Sequence, residues 1–244
     1  MSTGSRIAAT SDANYDAASA AITASGMAAA SEAQLMEIQL PPYVGMQLAD
    51  VTLVQSGADL ASALAALLAA DVIGFDTESK PTFVKGEVSS GPHLIQLATD
   101  DTAYLFQIGS KLAQQELSAA LKTILESNTV MKVGFGLADD LKRLAIKLDI
   151  KATKVLDLSL ALSKGQRNAL GAKTAVARFF GLRLQKSKKI STTNWANVRL
   201  TERQILYAAD DAHVALRVYR RWLADAAVMI PAGADPARAA TSAY

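Results

Sequence analysis

The stretch "VIGFDTE", Val72 to Glu78, reads as a buried strand that ends in two acids. Val72, Ile73 and Phe75 are strong strand formers. Side chains two apart on a strand point to the same face, so Asp76 and Glu78 stand side by side. Like charges so placed repel, and each raises the pKa of the other. An apolar strand ending in two crowded carboxylates marks the centre of a fold and a candidate site together.

Strands and helices alternate on either side of it. "VTLV" (Val51 to Val54) is a short strand, and Ser56 is placed to cap a helix bearing Leu60, Leu64, Leu67 and Leu68. "HLIQLAT" (His93 to Thr99) and "AYLFQI" (Ala103 to Ile108) are strands joined by Asp100-Asp101-Thr102, a hairpin signal. A helix near Gln114 to Leu125, a strand "VMKVGF" (Val130 to Phe135), a helix over Leu137 to Leu148 and a strand "KVLDLS" (Lys154 to Ser159) follow. The remainder to about Ala227 has helical periodicity, broken by a polar loop near Gln185 to Asn197. Hairpins first and crossovers later predict an α/β fold, a mixed sheet with helices on both faces.

The 244 residues are half hydrophobic and contain no cysteine, which excludes disulfides and thiolate metal sites. His93 and His213 are the only histidines, too few for a histidine-rich zinc centre. No apolar run reaches the roughly 18 residues of a membrane span. The first 33 residues hold 12 Ala and 6 Ser and few large apolar side chains. Such a segment buries too little surface to offset its ordering entropy, so residues 1–48 read as a disordered tail. One basic residue, Arg6, and no apolar stretch fit neither a secretory nor a mitochondrial signal; the expected location is intracellular and cytoplasmic. The folded part is expected at 49–228, with a short tail at 229–244.

Two further acidic sites stand out. "VGFGLADDLKRL" (Val133 to Leu144) follows a strand with a glycine turn and opens a helix with Asp139 and Asp140. In isolation such a pair is as well explained by capping. "LYAADDAHVALRVYRRW" (Leu206 to Trp222) is a long helix on which Tyr207 and Asp211 share a face at i, i+4, while Asp210 lies one position round. In order and context the three sites resemble the motifs of the DEDD superfamily of 3′–5′ exonucleases, in its tyrosine branch, the group of ribonuclease D and the Werner-type exonuclease domains. Asp76 and Glu78 match the first motif, Asp140 rather than Asp139 the second, and Tyr207 with Asp211 the third. The resemblance covers about Val51 to Ala224.

It implies a ribonuclease-H-like fold with a five-stranded mixed sheet. It also implies an enzyme that releases nucleoside 5′-monophosphates from 3′ ends, with two Mg²⁺ or Mn²⁺ ions held by Asp76, Glu78, Asp140 and Asp211. The repulsion between carboxylates then becomes affinity for hard cations. Tyr207 would orient the attacking water; a free tyrosine, with a pKa near 10, is a poor base at neutral pH.

Charge distribution agrees with a nucleic-acid partner. Between Lys142 and Arg203 there are 15 Lys or Arg against three acids, and "RLQKSKKISTTNW" (Arg183 to Trp195) concentrates them before the third motif. Lys186, Lys188 and Lys189 are candidate phosphate contacts. Trp195 is a candidate base-stacking residue, with a core anchor as the rival reading. Lys80, Phe83 and Lys85 lie beside the first motif, with Phe83 a candidate wedge for the terminal base. DNA and RNA 3′ ends are equally compatible with the sequence. Two rivals are a catalytically decayed nucleic-acid-binding module, which would have lost a carboxylate, and a ribonuclease-H-type endonuclease, which would lack the Tyr-x-x-x-Asp helix.

Overall fold

The computed structural model describes residues 40–82, 90–109, 114–163 and 169–229. Residues 1–39, most of the segment read from the sequence as a disordered tail, lie outside the described residues. All the elements named below belong to one compact unit, Pro42–Tyr244. Among the described residues, no helix is long and apolar enough to cross a membrane.

One sheet organises this unit. Its strands are β1 (Val51–Val54), β2 (Val72–Glu78), β3 (Leu94–Ala98), β4 (Ala103–Gln107), β5 (Met131–Gly134) and β6 (Val155–Asp157), in the spatial order β1-β4-β3-β2-β5-β6. β2, β3 and β4 form an antiparallel meander. Its β3–β4 turn is closed by Thr99 N–H donating to the Thr102 carbonyl at 2.9 Å, where the hairpin was expected. β1, β5 and β6 join in parallel, which requires crossovers. The sheet has six strands rather than five, because the short segments at both edges pair.

The helices are α1 (Gly57–Ala69), α2 (Gln114–Leu125), α3 (Ala138–Leu148), α4 (Leu158–Ala161), α5 (Ala172–Phe180), α6 (Lys188–Ser191) and α7 (Glu202–Met229). Ser56 caps α1 as its sequence predicts: its hydroxyl accepts from Asp59 N–H at 3.2 Å, and the Asp59 carboxylate accepts from Ser56 N–H at 2.9 Å. The buried stripe of α1 is Leu60, Ala63 and Leu67, with Leu64 packed alongside. Leu68 is 36% exposed, because at 3.6 residues per turn it has rotated off the stripe.

Alternation along the strands divides the core. Ile73 and Phe75 of β2 join Ile95, Leu97, Tyr104 and Phe106 in a cluster with α1, α2 and α3. Gly74, Asp76 and Glu78 face the other way, toward α7. At Gly74 the α7 backbone comes so close that an added Cβ would sit 1.9 Å from the Ala212 carbonyl oxygen, so only glycine fits.

The folded unit begins earlier than residue 49. Tyr43 and Met46 are buried. Tyr43 N–H donates to the Arg183 carbonyl at 2.9 Å, and Met46 N–H donates to the Asp210 carboxylate at 2.8 Å. "LPPYVG", Leu40 to Gly45, reads as a linker by composition, but Tyr43 within it and Met46 just after it find a core to enter.

Candidate active site

Three elements bring five expected residues to the same end of the sheet. β2 supplies Asp76 and Glu78, α3 supplies Asp140, and α7 supplies Tyr207 and Asp211. The placement of α7 is fixed from its far half. There Arg220 donates to both oxygens of Asp71, at 2.7 and 2.8 Å, and pairs with Asp100 at 3.0 Å. This ties the far half of the helix to the start of β2 and to the β3–β4 turn.

α3 is placed by a turn whose geometry is written in the sequence. Gly136 has φ +71°, a left-handed conformation that favours glycine. The Asp157 carboxylate accepts from Gly136 N–H and Leu137 N–H, both at 2.9 Å, and from Ser159 N–H at 2.9 Å. Asp157 thus joins the ends of β5 and β6 to the start of α3. The only sequence sign of it is an acid at a strand end just before a helix. The first turn of α3 then exposes Asp139 and buries Asp140, whose carboxylate accepts from the Thr77 hydroxyl and lies 3.7 Å from Arg143.

The carboxylates are crowded and desolvated, and their pKa values follow. Burial first, then Asp211 and Asp140, hold Asp76 well above the usual carboxylate range. Burial, then Asp76 and Asp211, push Glu78 up to about 9. Burial also raises Asp140 and Asp211. Besides Arg143 at Asp140, a second cation sits among them: Lys186 Nζ lies 2.8 Å from Asp211 Oδ1. Burial alone would lower Lys186, but Asp211 and Asp76 outweigh it and keep the ammonium charged. Burial, then Asp211 and Glu78, raise Tyr207, so its hydroxyl is a donor throughout the neutral range. Among the described residues, no three acids stand close enough to grip an ion as they are. Lys186 engages Asp211, and Thr77 engages Asp140.

The expected nucleic-acid contacts divide. Lys188 and Lys189 are exposed on α6, and Lys80 is exposed just past β2. Lys186, expected with them as a phosphate contact, instead turns inward onto Asp211. Trp195 is fully buried and is not available to stack on a base. Its indole N–H donates to the Ser191 carbonyl at 3.1 Å, and its ring lies 6.0 Å from that of Tyr207, centroid to centroid. An apolar ring between polar loops is driven into the sheet-facing cluster with Leu94, Leu105 and Ala208. Phe83 and Lys85 lie outside the described residues. The Asp210 carboxylate accepts from Met46 N–H at 2.8 Å.

The sequence matches the 3′-5′ exonuclease family over residues 51–223. It is 31% identical over 153 residues to the bifunctional 3′-5′ exonuclease/ATP-dependent helicase WRN of Mus musculus, covering 62% of this chain and 11% of that protein. It is 28% identical over 154 residues to a 3′-5′ exonuclease of Arabidopsis thaliana, covering 61% of this chain and 51% of that protein. The chain therefore spans only a part of these relatives' length. Its fold resembles the Aedes aegypti Nibbler EXO domain, with a TM-score of 0.68 at 24% identity, over 82% of this chain and 99% of that one. It also resembles Escherichia coli RNase D, with a TM-score of 0.61 at 24% identity, over 79% and 50%. With the family match running from β1 into α7, through every element that carries an acid of the site, the chain belongs to the DEDD superfamily of 3′–5′ exonucleases.

Proposed function

We propose that this chain hydrolyses nucleic acid from its 3′ end, releasing nucleoside 5′-monophosphates. The observation that carries this reading is the electrostatic crowding of Asp76, Glu78, Asp140 and Asp211, half-buried or buried side chains from three elements, with Lys186 as a counter-charge. Four carboxylates held this way are costly unless positive charge comes to them.

The donor chemistry fits divalent cations. All four are oxygen ligands of the kind that Mg²⁺ and Mn²⁺ take. Asp76, Glu78, Asp140 and Asp211 would hold two such ions. When bound, a pair of hard cations supplies charge neutralisation at phosphorus and lowers the pKa of water. The chain's own groups do the rest. Tyr207, kept protonated by its surroundings, orients the attacking water through its hydroxyl. Lys186, released from Asp211, carries its charge to the non-bridging phosphate oxygens. Lys80, Lys188 and Lys189 hold the backbone phosphates upstream. Trp195 acts from below, as the wall that fixes the Tyr207 ring.

The test is an oligonucleotide labelled at its 3′ end, in DNA and RNA form, incubated with Mg²⁺, with Mn²⁺ and with EDTA. Labelled mononucleotide should appear first, and only with metal. Internal fragments would favour an endonuclease, and an intact label under every condition would favour a binding module.

A further inference from the structure

Gln96, at the centre of β3, is completely buried, yet neither end of its side-chain amide has a hydrogen-bond partner among the described residues. Buried amides are almost always satisfied, and one left unpaired is destabilising, so such a group marks a place where something else binds or moves. The strand register says where. Gln96 pairs directly with Asp76 on β2 and with Leu105 on β4. By alternation it lies on the α7 face of the sheet, together with Leu94, Ala98, Gly74, Asp76 and Glu78. Leu94, Ala98 and Leu105 are apolar, and so are Ala208, Ala209 and Ala212, the small residues with which α7 covers this face.

The one charged group directly across from Gln96 is therefore Asp76. Side chains opposed in this way have Cβ atoms roughly 4.5–5.5 Å apart, within reach of a glutamine amide. Asp76 has the complementary need. Thr77 N–H donates to its Oδ1 at 2.9 Å, whereas Oδ2 has no donor among the described residues. A donor without an acceptor thus faces an acceptor without a donor.

We propose that Gln96 is a positioning residue for Asp76: when a divalent cation engages Asp76, the Gln96 Nε2–H₂, unpaired in this structure, donates to Asp76 Oδ2 and fixes the plane in which the carboxylate offers its remaining lone pairs to the ion. A carboxylate has about four acceptor sites, so one hydrogen bond to each oxygen leaves room for an ion on both. With Thr77 on one oxygen and Gln96 on the other, the carboxylate cannot rotate about its Cβ–Cγ bond. This inference rests on the reading of Asp76 as a cation ligand.

The experiment measures Mn²⁺ binding to the full chain without substrate, by calorimetry, together with melting in EDTA. Removing a partner that orients a metal ligand weakens affinity by about 10- to 100-fold. Gln96→Leu should show that loss while melting in EDTA at or above the wild-type temperature, since it deletes an unpaired buried amide. At saturating Mn²⁺ it should lower kcat and leave KM for an oligonucleotide unchanged. A purely packing role predicts the reverse, a lower melting temperature and wild-type Mn²⁺ affinity, and that result would overturn the proposal. Should Gln96→Leu fail to fold, Gln96→Asn keeps the amide but withdraws it by one methylene. It should show at least a tenfold loss, and wild-type affinity in it would equally overturn the proposal. Asp76→Asn separates the two levels. If it binds Mn²⁺ normally, Asp76 is no ligand and the underlying reading fails. If it loses Mn²⁺ while Gln96→Leu does not, only the role of Gln96 fails.

Discussion

Tyr207 stands between Glu78 and Asp211 on one side and the buried Trp195 ring on the other, and this surrounding raises its pKa. A phenol so placed orients water and does not abstract its proton. Tyr207→Phe should therefore lower kcat by about 10- to 1000-fold, as for loss of one orienting hydrogen bond, without moving the alkaline limb of the pH profile. Single-turnover rates on a 3′-labelled oligonucleotide measure it; an unchanged rate would reduce Tyr207 to packing. Glu78 gives a second residue-scale outcome. Its folded pKa, about 9, lies above the ordinary value of 4.5, so the folded state binds the proton more tightly than the unfolded one. Stability then falls as pH rises from about 4.5 to about 9, because ionisation is easier in the unfolded chain. In EDTA the wild-type melting temperature should decline across that window, and Glu78→Gln should flatten the decline. A profile of equal slope in both proteins would mean that Glu78 is not held in its acid form.

At the scale of elements, the contact between β2 and α7 decides whether the acids meet. Gly74 lies two residues before Asp76, and Ala212 follows Asp211, so the tightest point of the packing adjoins the site. Gly74→Ala would drive a methyl group into the Ala212 carbonyl. It should cost about 3 kcal/mol or more, as overpacking against backbone does. In whatever still folds it should also move Asp211 away from Asp76, so kcat should fall more than oligonucleotide affinity. Urea melts and steady-state rates on the same preparation check both effects. The short helix α6 makes a different statement. Its Lys188 and Lys189 are exposed, with no carboxylate paired to either among the described residues. Lys188→Ala with Lys189→Ala should raise KM and reduce its dependence on salt by about two phosphate contacts, leaving saturated turnover nearly intact.

These elements also show what the sequence carries and what it does not. Asp76 and Glu78 are legible because the period of a strand is two, and Tyr207 and Asp211 because i, i+4 places them on one helical face. The β3–β4 hairpin and the Ser56 cap are local, and local signals survive into the fold. Lys186 is not legible: nothing in "RLQKSKK" tells which lysine turns inward, since that depends on Asp211, 25 residues away. Trp195 is ambiguous for a related reason, because its burial is decided by the packing of Leu94, Leu105 and Ala208 from distant segments. Gln96 reads as one polar residue in an apolar strand, and only the register with Asp76 gives it a meaning.

For the whole molecule, the site is a store of unfavourable charge whose balance depends on what occupies it. Without divalent ions, four crowded acids are set against the ammonium of Lys186 at Asp211 and the guanidinium of Arg143 at Asp140. An ion that binds only the folded state stabilises it by RT ln(1 + [L]/Kd), about 2.7 kcal/mol at a hundredfold excess over Kd. For a domain of this size that raises the melting temperature by about 5–10 °C. Asp211→Asn tests the balance because it removes a ligand and the partner of Lys186 together. If the acids simply repelled one another, the mutant would melt higher than wild type in EDTA. With Lys186 Nζ 2.8 Å from Asp211, losing that carboxylate instead leaves a half-buried ammonium short of its closest partner. The mutant should therefore melt no higher than wild type in EDTA, and should gain less from Mn²⁺. Lys186→Met in the same assay should melt lower in EDTA, since Asp76, Glu78 and Asp211 lose their counter-charge, and should recover most of that deficit when Mn²⁺ is added. An Mn²⁺ gain in Asp211→Asn equal to that of wild type would remove Asp211 from the ion-binding set. A Lys186→Met protein as stable as wild type in EDTA would show that the lysine balances nothing.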